Sequence, residues 1–258
     1  MPAMKTDELE AMLGSDDRHW WYRGRRRVVR AELDRLHLGR AARLLDAGCG
    51  SGRTLDELAD YGQAWGVDVS PAAVEAARRR GHANVQQGSI EQLPFADGAF
   101  DVVTCLDVIE HTPDDRVSLA ELRRVTRPGG YLLVTVPAYQ ALWSWHDEAN
   151  LHYRRYGRRE LHAAADGAGW EVLTDTHFNS LLLAPAAIVR LAQRYRRPPD
   201  HSDLDITPAR LNGLLELPLR LEARWLSTGR RLPFGLSLLA MMRRPAESPL
   251  AAAPSLAA

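Results

Sequence analysis

One stretch constrains this chain more than any other, because it combines a short apolar run with an acid and three alternating glycines. Leu44-Leu45-Asp46-Ala47 is typical of a buried strand, and Gly48, Gly50 and Gly52 follow it before a helical pattern begins. Glycine adopts positive φ freely and lets a ligand approach the backbone closely. A strand, a glycine loop and a helix N-terminus in this order present N–H groups to an anionic or carboxylate-bearing cofactor. The stretch therefore predicts a cofactor loop.

Two classes of nucleoside cofactor use such a loop, and the glycine spacing separates them. A dinucleotide fingerprint has glycines at its first, third and sixth positions, whereas the sixth position here is Arg53. Asp46 lies two residues before the first glycine, where its carboxylate can accept hydrogen bonds from a bound ammonium group. Both observations disfavour a nicotinamide dinucleotide.

The segment Asp46-Ala47-Gly48-Cys49-Gly50-Ser51-Gly52 resembles the first motif of the class I S-adenosylmethionine (SAM)-dependent methyltransferases, Asp/Glu-x-Gly-x-Gly-x-Gly after a strand. The resemblance implies a doubly wound, Rossmann-like α/β sheet of seven strands, six parallel and one antiparallel. It also implies SAM as the methyl donor and S-adenosylhomocysteine as the product. The expected acceptor is a small molecule, with a hydroxyl of a natural product, sugar or lipophilic intermediate preferred.

Later strand ends add cofactor contacts to this resemblance. Asp68 ends the second predicted strand about twenty residues beyond the glycine turn, where an acid can accept both ribose hydroxyls of SAM or NAD. In the next loop Ser89 replaces the acid that methyltransferases of this type use toward adenine, which leaves the Ile90 N–H to bind the ring. The remaining contacts that the resemblance implies are Gly48, Cys49, Gly50, Gly52, Val69 and Leu106.

An aromatic and basic run precedes the glycine loop, since residues 19–27 read His-Trp-Trp-Tyr-Arg-Gly-Arg-Arg-Arg. In one interpretation this run is a helix whose rings pack on the main domain and whose arginines are solvated. In the other it is a lid over the cofactor, as similar segments precede the first motif in some methyltransferases. Tyr22 and Arg26 would then contact SAM.

Acidic and histidine side chains follow the fourth predicted strand. Asp107, Glu110 and His111 have the spacing of one helical face, at a strand end where parallel sheets bind ligands. Such a set could hold a divalent ion, and it resembles the Glu-x-x-Glu-His motif of metal-dependent small-RNA 2′-O-methyltransferases and ubiquinone-pathway O-methyltransferases. Because many methyltransferases with Asp in the first position are metal-free, local hydrogen bonding is the preferred interpretation.

Rings and charged residues crowd segment 138–158, which follows the fifth predicted strand and is the expected substrate cap. His146, His152 and His111 are the candidate catalytic residues, because an imidazole can act as general base toward a hydroxyl near neutral pH. His146 or His152 could instead complete a metal site that begins at Asp107. A histidine without a role is the alternative for each.

A helical insertion is expected between the sixth and seventh predicted strands. It contains an apolar helical stretch interrupted at Pro185, a basic connection, and leucines at helical spacing. The insertion is expected to pack on the sheet or on a second subunit in a homodimer, with peripheral membrane or greasy-substrate contact as the alternative. The expected organisation is arm and cap helix 1–39, SAM-binding core 40–176, helical insertion 177–233, final strand 234–246 and disordered tail 247–258.

Composition narrows the functional classes. Lysine plus arginine and aspartate plus glutamate both number 33, so no overall field favours nucleic acid. The two cysteines fall in a predicted tight turn and a predicted buried strand, which argues against disulfides and for a reducing cytoplasm. The N-terminal residues are polar and acidic, unlike a signal peptide, and no apolar run could span a bilayer. A cytoplasmic location is expected.

Two other functions remain open on the sequence. The first is an NAD(P)-dependent oxidoreductase, since Asp68 would serve that cofactor too. The second is a SAM-binding protein that does not methylate, either as a regulatory partner or as the catalyst of another SAM reaction.

Overall fold

The computed structural model describes residues 16–193 and 211–246. The predicted arm up to residue 15, the predicted basic connection of residues 194–200 and the predicted tail lie outside these residues. The strands are β1 (Arg43–Ala47), β2 (Gln63–Asp68), β3 (Val85–Gln87), β4 (Phe100–Leu106), β5 (Thr126–Pro137), β6 (Glu171–Phe178) and β7 (Ser237–Arg243).

All seven strands form one sheet in the order β3-β2-β1-β4-β5-β7-β6. Strands β1 to β5 pair in parallel, while β7 is antiparallel to both β5 and β6. The prediction of six parallel strands and one antiparallel strand is therefore confirmed. The order reverses beside β1, so the glycine loop lies at the point where this architecture binds ligands.

Eight helices surround the sheet within the described residues. They are α1 (Trp20–Leu33), α2 (Arg53–Leu58), α3 (Pro71–Arg79), α4 (Asp115–Val125), α5 (Trp145–Ala149), α6 (Arg158–Gly167), α7 (Leu183–Gln193) and α8 (Asn212–Ser227). Polar side chains cap the N-termini of two of them. Ser70 Oγ accepts the Ala73 N–H at 3.3 Å, and Asp114 accepts the Arg116 N–H at 3.0 Å.

The strands are buried on both faces because successive side chains point to opposite sides of the sheet. Leu45 and Val103 belong to a core with α4 and α6, whereas their neighbours Leu44 and Val102 belong to a second core with α1 and α8. The predicted interruption at Pro185 is absent, because α7 continues through it. Proline is tolerated there since it stands in the first turn, where N–H groups have no helical acceptor.

Helices α1 and α8 lie in close contact over one face. A Cβ on Gly24 would lie 2.7 Å from Leu219 Cβ. The buried Glu216 carboxylate accepts Arg27 Nε at 2.8 Å and pairs with Arg23 at 3.0 Å. No helix of the described part of the chain is long and apolar enough to cross a membrane.

Candidate functional site

The glycine loop has the backbone conformation that its sequence predicts. Gly48, Gly50 and Gly52 have φ of 89°, 52° and 80°. A Cβ on Gly48 would meet the Val108 side chain, with Cγ1 at 3.1 Å. The N–H groups of Gly48 and Cys49 donate to the Val67 carbonyl at 2.8 and 3.0 Å. The loop is thereby fixed against the end of β2.

Asp68 holds the loop from the neighbouring strand end. One carboxylate oxygen accepts the Gly50 N–H at 2.9 Å, and the other accepts the Ser70 N–H at 2.9 Å. Burial raises the pKa of Asp68, against the opposing effect of these backbone bonds. Each carboxylate oxygen retains a second acceptor position, which is what ribose hydroxyls require.

Asp46 lies at the end of β1 and is almost fully buried. Its Oδ1 accepts the Thr104 hydroxyl at 2.6 Å. Burial raises the pKa of Asp46 to about 7, although the hydrogen bond from Thr104 acts in the opposite direction. A cationic group bound beside this carboxyl would favour the ionised form.

The predicted cap residue Arg26 is held by acids beside the loop. Its NH1 lies 2.8 Å from Asp16 Oδ1, and its Nε lies 3.1 Å from Glu57 Oε1. Ser51 Oγ donates to the other oxygen of Asp16 at 2.6 Å. Asp17 forms a second link, through Arg53 at 2.9 Å and Arg80 at 3.0 Å. Residues 16–17 therefore connect α1 to the glycine loop.

Arg25 is a site residue that sequence reasoning missed. Its NH1 lies 2.7 Å from Asp107 Oδ2 and 3.1 Å from the Leu106 carbonyl, and its guanidinium lies 5.5 Å from the centre of the Tyr22 ring. The predicted contact Tyr22 thus lies beside the end of β4. The sequence does not distinguish Arg25 from Arg26 and Arg27, because how α1 docks on the sheet decides which arginine reaches Asp107.

The other predicted cofactor contacts have mixed environments. Ser89 Oγ accepts the Glu91 N–H at 3.1 Å and so supports its own turn, while Ile90 is buried beside it. Cys49 and Leu106 are buried, and burial raises the pKa of the Cys49 thiol. Val69 is exposed at the end of β2. Their roles toward SAM stay predictions.

The structure separates Asp107 from the other two predicted metal ligands, Glu110 and His111. Asp107 has φ of 56° and pairs with Arg25, outside the helical turn that the spacing predicts. Glu110, His111 and His152 instead each offer one ligand atom, and these atoms lie within 4.8 Å of one another. The Glu110 carboxylate is fully buried, and among the described residues neither of its oxygens has a hydrogen-bond partner.

Electrostatics at this cluster keep both imidazoles neutral. Burial lowers the pKa of His111 to about 3, and the neighbouring His152 adds to that effect. Burial also lowers the pKa of His152, against the opposing effect of Asp147. Burial raises the pKa of Glu110 well above its usual value, and the charge of Asp107 adds to it. Neutral imidazoles and a carboxylate without a partner are a donor set that fits a divalent ion.

Asp147 belongs to the predicted substrate cap, and it orients His152, a role that the sequence did not predict. Its Oδ1 lies 2.9 Å from His152 Nδ1 and accepts Arg155 Nε at 2.7 Å. Burial alone would raise the pKa of Asp147, but the bonds from His152 and Arg155 outweigh it and lower that pKa. His146 directly precedes Asp147 in α5, and its ring centre lies 6.3 Å from that of His152. The His111 ring centre lies 4.6 Å from that of His152, so His152 adjoins both other candidate histidines.

Comparison with known proteins agrees with this geometry. Residues 45–134 match the family model of a methyltransferase domain. A Mycolicibacterium smegmatis protein named as a probable SAM-dependent methyltransferase is 34% identical over 163 residues, which are 62% of this chain and 62% of that protein. A ubiquinone biosynthesis O-methyltransferase of Xanthomonas oryzae pv. oryzae is 37% identical over 101 residues, 36% of this chain and 42% of that protein. The chain thus spans less than two thirds of the length of these relatives.

Solved structures share the fold. One chain in the complex between the Haloferax volcanii Trm112 methyltransferase activator and a methyltransferase has a TM-score of 0.62 at 21% identity, covering 95% of this chain and 99% of that chain. The Streptomyces coelicolor A3(2) geranyl diphosphate C-methyltransferase, solved with Mg²⁺, geranyl diphosphate and S-adenosylhomocysteine, has a TM-score of 0.55 at 19% identity over 84% of this chain and 78% of that chain. In its sheet order, its glycine loop and the methyltransferase domain that matches residues 45–134, the chain is similar to the class I SAM-dependent methyltransferases.

Proposed function

We propose that this protein transfers the methyl group of SAM to a hydroxyl of a small molecule. One observation carries the proposal: Asp46 and Asp68 end two paired parallel strands on either side of the glycine loop. Asp68 would hold the ribose, while the loop and Asp46 would hold the amino-acid half of the cofactor. The family relationship supports SAM as that cofactor.

Positioning supplies much of the rate in such a reaction, because the sulfonium is already primed to lose its methyl group. A hydroxyl acceptor also has to lose a proton. His152 is the preferred base, since it is neutral and Asp147 holds its Nδ1 at 2.9 Å, which leaves Nε2 to accept the proton. His111 is a weaker base because of its low pKa.

A metal-assisted version of the same reaction is the second candidate, and the unpartnered Glu110 carboxylate favours it. Glu110, His111 and His152 would hold the ion, with Asp147 orienting His152 as an outer partner. The ion would act as a Lewis acid toward the acceptor oxygen. His152 would then be a ligand and could not serve as the base.

Transfer of radiolabelled methyl from SAM to phenols, sugars, polyketides and lipid alcohols tests the first proposal. We expect transfer to at least one class, reduced about 100-fold or more by His152→Ala. His162→Ala is the matched control, because His162 lies on α6 at the surface and pairs only loosely with Asp175, at 3.6 Å. Cofactor binding without transfer to any acceptor would favour a SAM-binding protein that does not methylate.

Metal analysis separates the two versions. If the reaction needs no metal, activity should survive exhaustive chelation and the purified protein should carry no stoichiometric metal. A cobalt absorption band that Glu110→Gln abolishes would instead establish the site independently of activity. Asp147→Asn should weaken cobalt binding about 10- to 100-fold if His152 is a ligand.

A further inference from the structure

Helix α8 is apolar on two faces: Leu219, Ala223 and Leu226 are buried in the core, while a second set of apolar side chains is exposed to solvent. Leu214, Leu217, Leu221 and Trp225 share one helical face, and Leu214 and Trp225 are 65% and 43% exposed. The opposite face carries Glu216, which is 1% exposed, and the buried Glu222. A helix at a water-facing surface usually carries polar and charged residues on its outer face.

The buried acids, together with the buried Leu219 and Leu226, fix which face of α8 turns inward. Glu216 pairs with Arg23 and Arg27 of α1. Glu222 accepts the N–H groups of Asn179 and Ser180 at 2.6 and 2.8 Å. Rotation of the helix would leave two buried carboxylates without these partners, which is strongly unfavourable. The exposed face is therefore a fixed part of the fold.

Helix α7, in the same segment between β6 and β7, also exposes apolar side chains. Its sequence between residues 183 and 189 contains only apolar residues, yet no side chain in that stretch is buried. Ile188 and Val189 are 69% and 54% exposed. Apolar surface concentrated on two helices of one segment indicates an interaction site rather than ordinary surface variation.

The charges beside this surface indicate whether it would contact a second copy of the chain or an anionic lipid surface. The charged residues of α8 that face solvent are Arg220, whose Nε lies 3.7 Å from Glu216, and Arg224, because both acids face inward. A symmetric contact with a second copy would bring these arginines toward their own equivalents. An anionic lipid surface would meet them with opposite charge and accept the neighbouring leucines among its acyl chains.

We propose that the outer face of α8 docks on the surface of an anionic lipid bilayer. The apolar side chains would enter the headgroup region and Arg220 and Arg224 would contact anionic headgroups. Trp225 would lie at the interface, a depth that tryptophan prefers. The inference is independent of the proposed methyl transfer, because it concerns a surface outside the glycine loop and the histidine cluster.

Vesicle flotation of the full chain tests the proposal. We expect binding to phosphatidylglycerol-containing vesicles that falls with added salt and is far weaker on pure phosphatidylcholine. Leu217→Glu with Leu221→Glu should weaken binding roughly tenfold or more. Replacing Arg220 or Arg224 by alanine should weaken it about fivefold for each arginine.

Val117→Glu is the matched control, because Val117 is exposed on α4, away from this surface. It should leave vesicle binding unchanged. Brominated lipids should quench tryptophan fluorescence of the unaltered protein and quench it less in Trp225→Phe, a readout that does not depend on the glutamate variants folding. Equal flotation of the leucine variant, absence of quenching, or a concentration-dependent dimer that the leucine variant abolishes would each overturn the proposal.

Discussion

The ionisation of Asp46, beside the glycine loop, makes the stability of the protein depend on pH. Its carboxyl titrates near 3.8 in an unfolded chain, whereas burial raises its pKa to about 7 in the fold. Between these values the folded state binds more protons than the unfolded state, so this residue makes stability fall as pH rises from about 4 to 7. Below that window the contribution is constant, since both states are protonated.

Asp46→Asn should remove this dependence. From pH 5 to pH 8 the variant should gain about 2–3 kcal/mol of unfolding free energy relative to the original protein, because an amide carries no ionisation cost. Urea denaturation at both pH values measures the difference. Asp97→Asn is the control, since Asp97 is exposed and pairs with Arg124 at the surface. Parallel pH profiles for Asp46→Asn and the original protein would contradict the assignment.

Asp68→Ala should weaken binding of S-adenosylhomocysteine by a factor of about ten or more. The change removes the acceptors for ribose and also the bond that fixes the Gly50 N–H. Isothermal titration calorimetry measures the dissociation constant. Asp60→Ala removes a surface ion pair with Arg30 and should leave affinity unchanged. Equal affinities for both variants would exclude Asp68 from the cofactor site.

At this scale, local conformational demands were predictable and distant pairings were not. The glycines at 48, 50 and 52 are identifiable because positive φ is a property of each position. Asp107 illustrates a distant pairing. Its spacing suggests a metal ligand, but its carboxylate forms an ion pair with Arg25 of α1. His152 joins Glu110 only through the chain's path after β5, which no spacing within the motif could reveal.

At the scale of elements, α1 and α8 approach closely because residue 24 is a glycine, which has no side chain. An added Cβ on Gly24 would approach both Cβ and Cγ of Leu219, at 2.7 and 3.0 Å, so a rotamer change alone could not relieve the overlap. Gly213 in α8 has open space around it. The two glycines thus give a matched pair within one helical layer.

Gly24→Ala should destabilise the protein by about 1–3 kcal/mol through overpacking, despite the better helix propensity of alanine. Gly213→Ala should stabilise it by about 0.5–1 kcal/mol, because there the propensity gain meets no steric opposition. Thermal and urea unfolding of both variants measure the effects. Equal changes in the same direction would show that α1 and α8 do not approach this closely.

The strands were predictable because both faces of the sheet are buried, which gives short continuous apolar runs between turn residues. The helices between β6 and β7 were harder to predict. Pro185 suggests a break by its chemistry, but its effect depends on where the helix begins. Which face of α8 meets the core also depends on Arg23 and Arg27, residues far away in sequence.

For the whole molecule, a cofactor that binds only the folded state should raise stability. S-adenosylhomocysteine at 100 times its dissociation constant should add about 2.7 kcal/mol, equivalent to an increase in melting temperature of about 5–10 °C for a chain of this size. Differential scanning fluorimetry measures the shift. NAD(H) at the same concentration should give none. Stabilisation by NAD(H) alone would favour the oxidoreductase.

The antiparallel entry of β7 brings both ends of segment 179–236 together, and the Leu236 N–H donates to the Asn179 carbonyl at 3.3 Å. A segment anchored at neighbouring ends can change length at little entropic cost, and such changes leave strand register untouched. Insertions in the part of this segment between α7 and α8 should therefore leave the pairing of β6 with β7 in place.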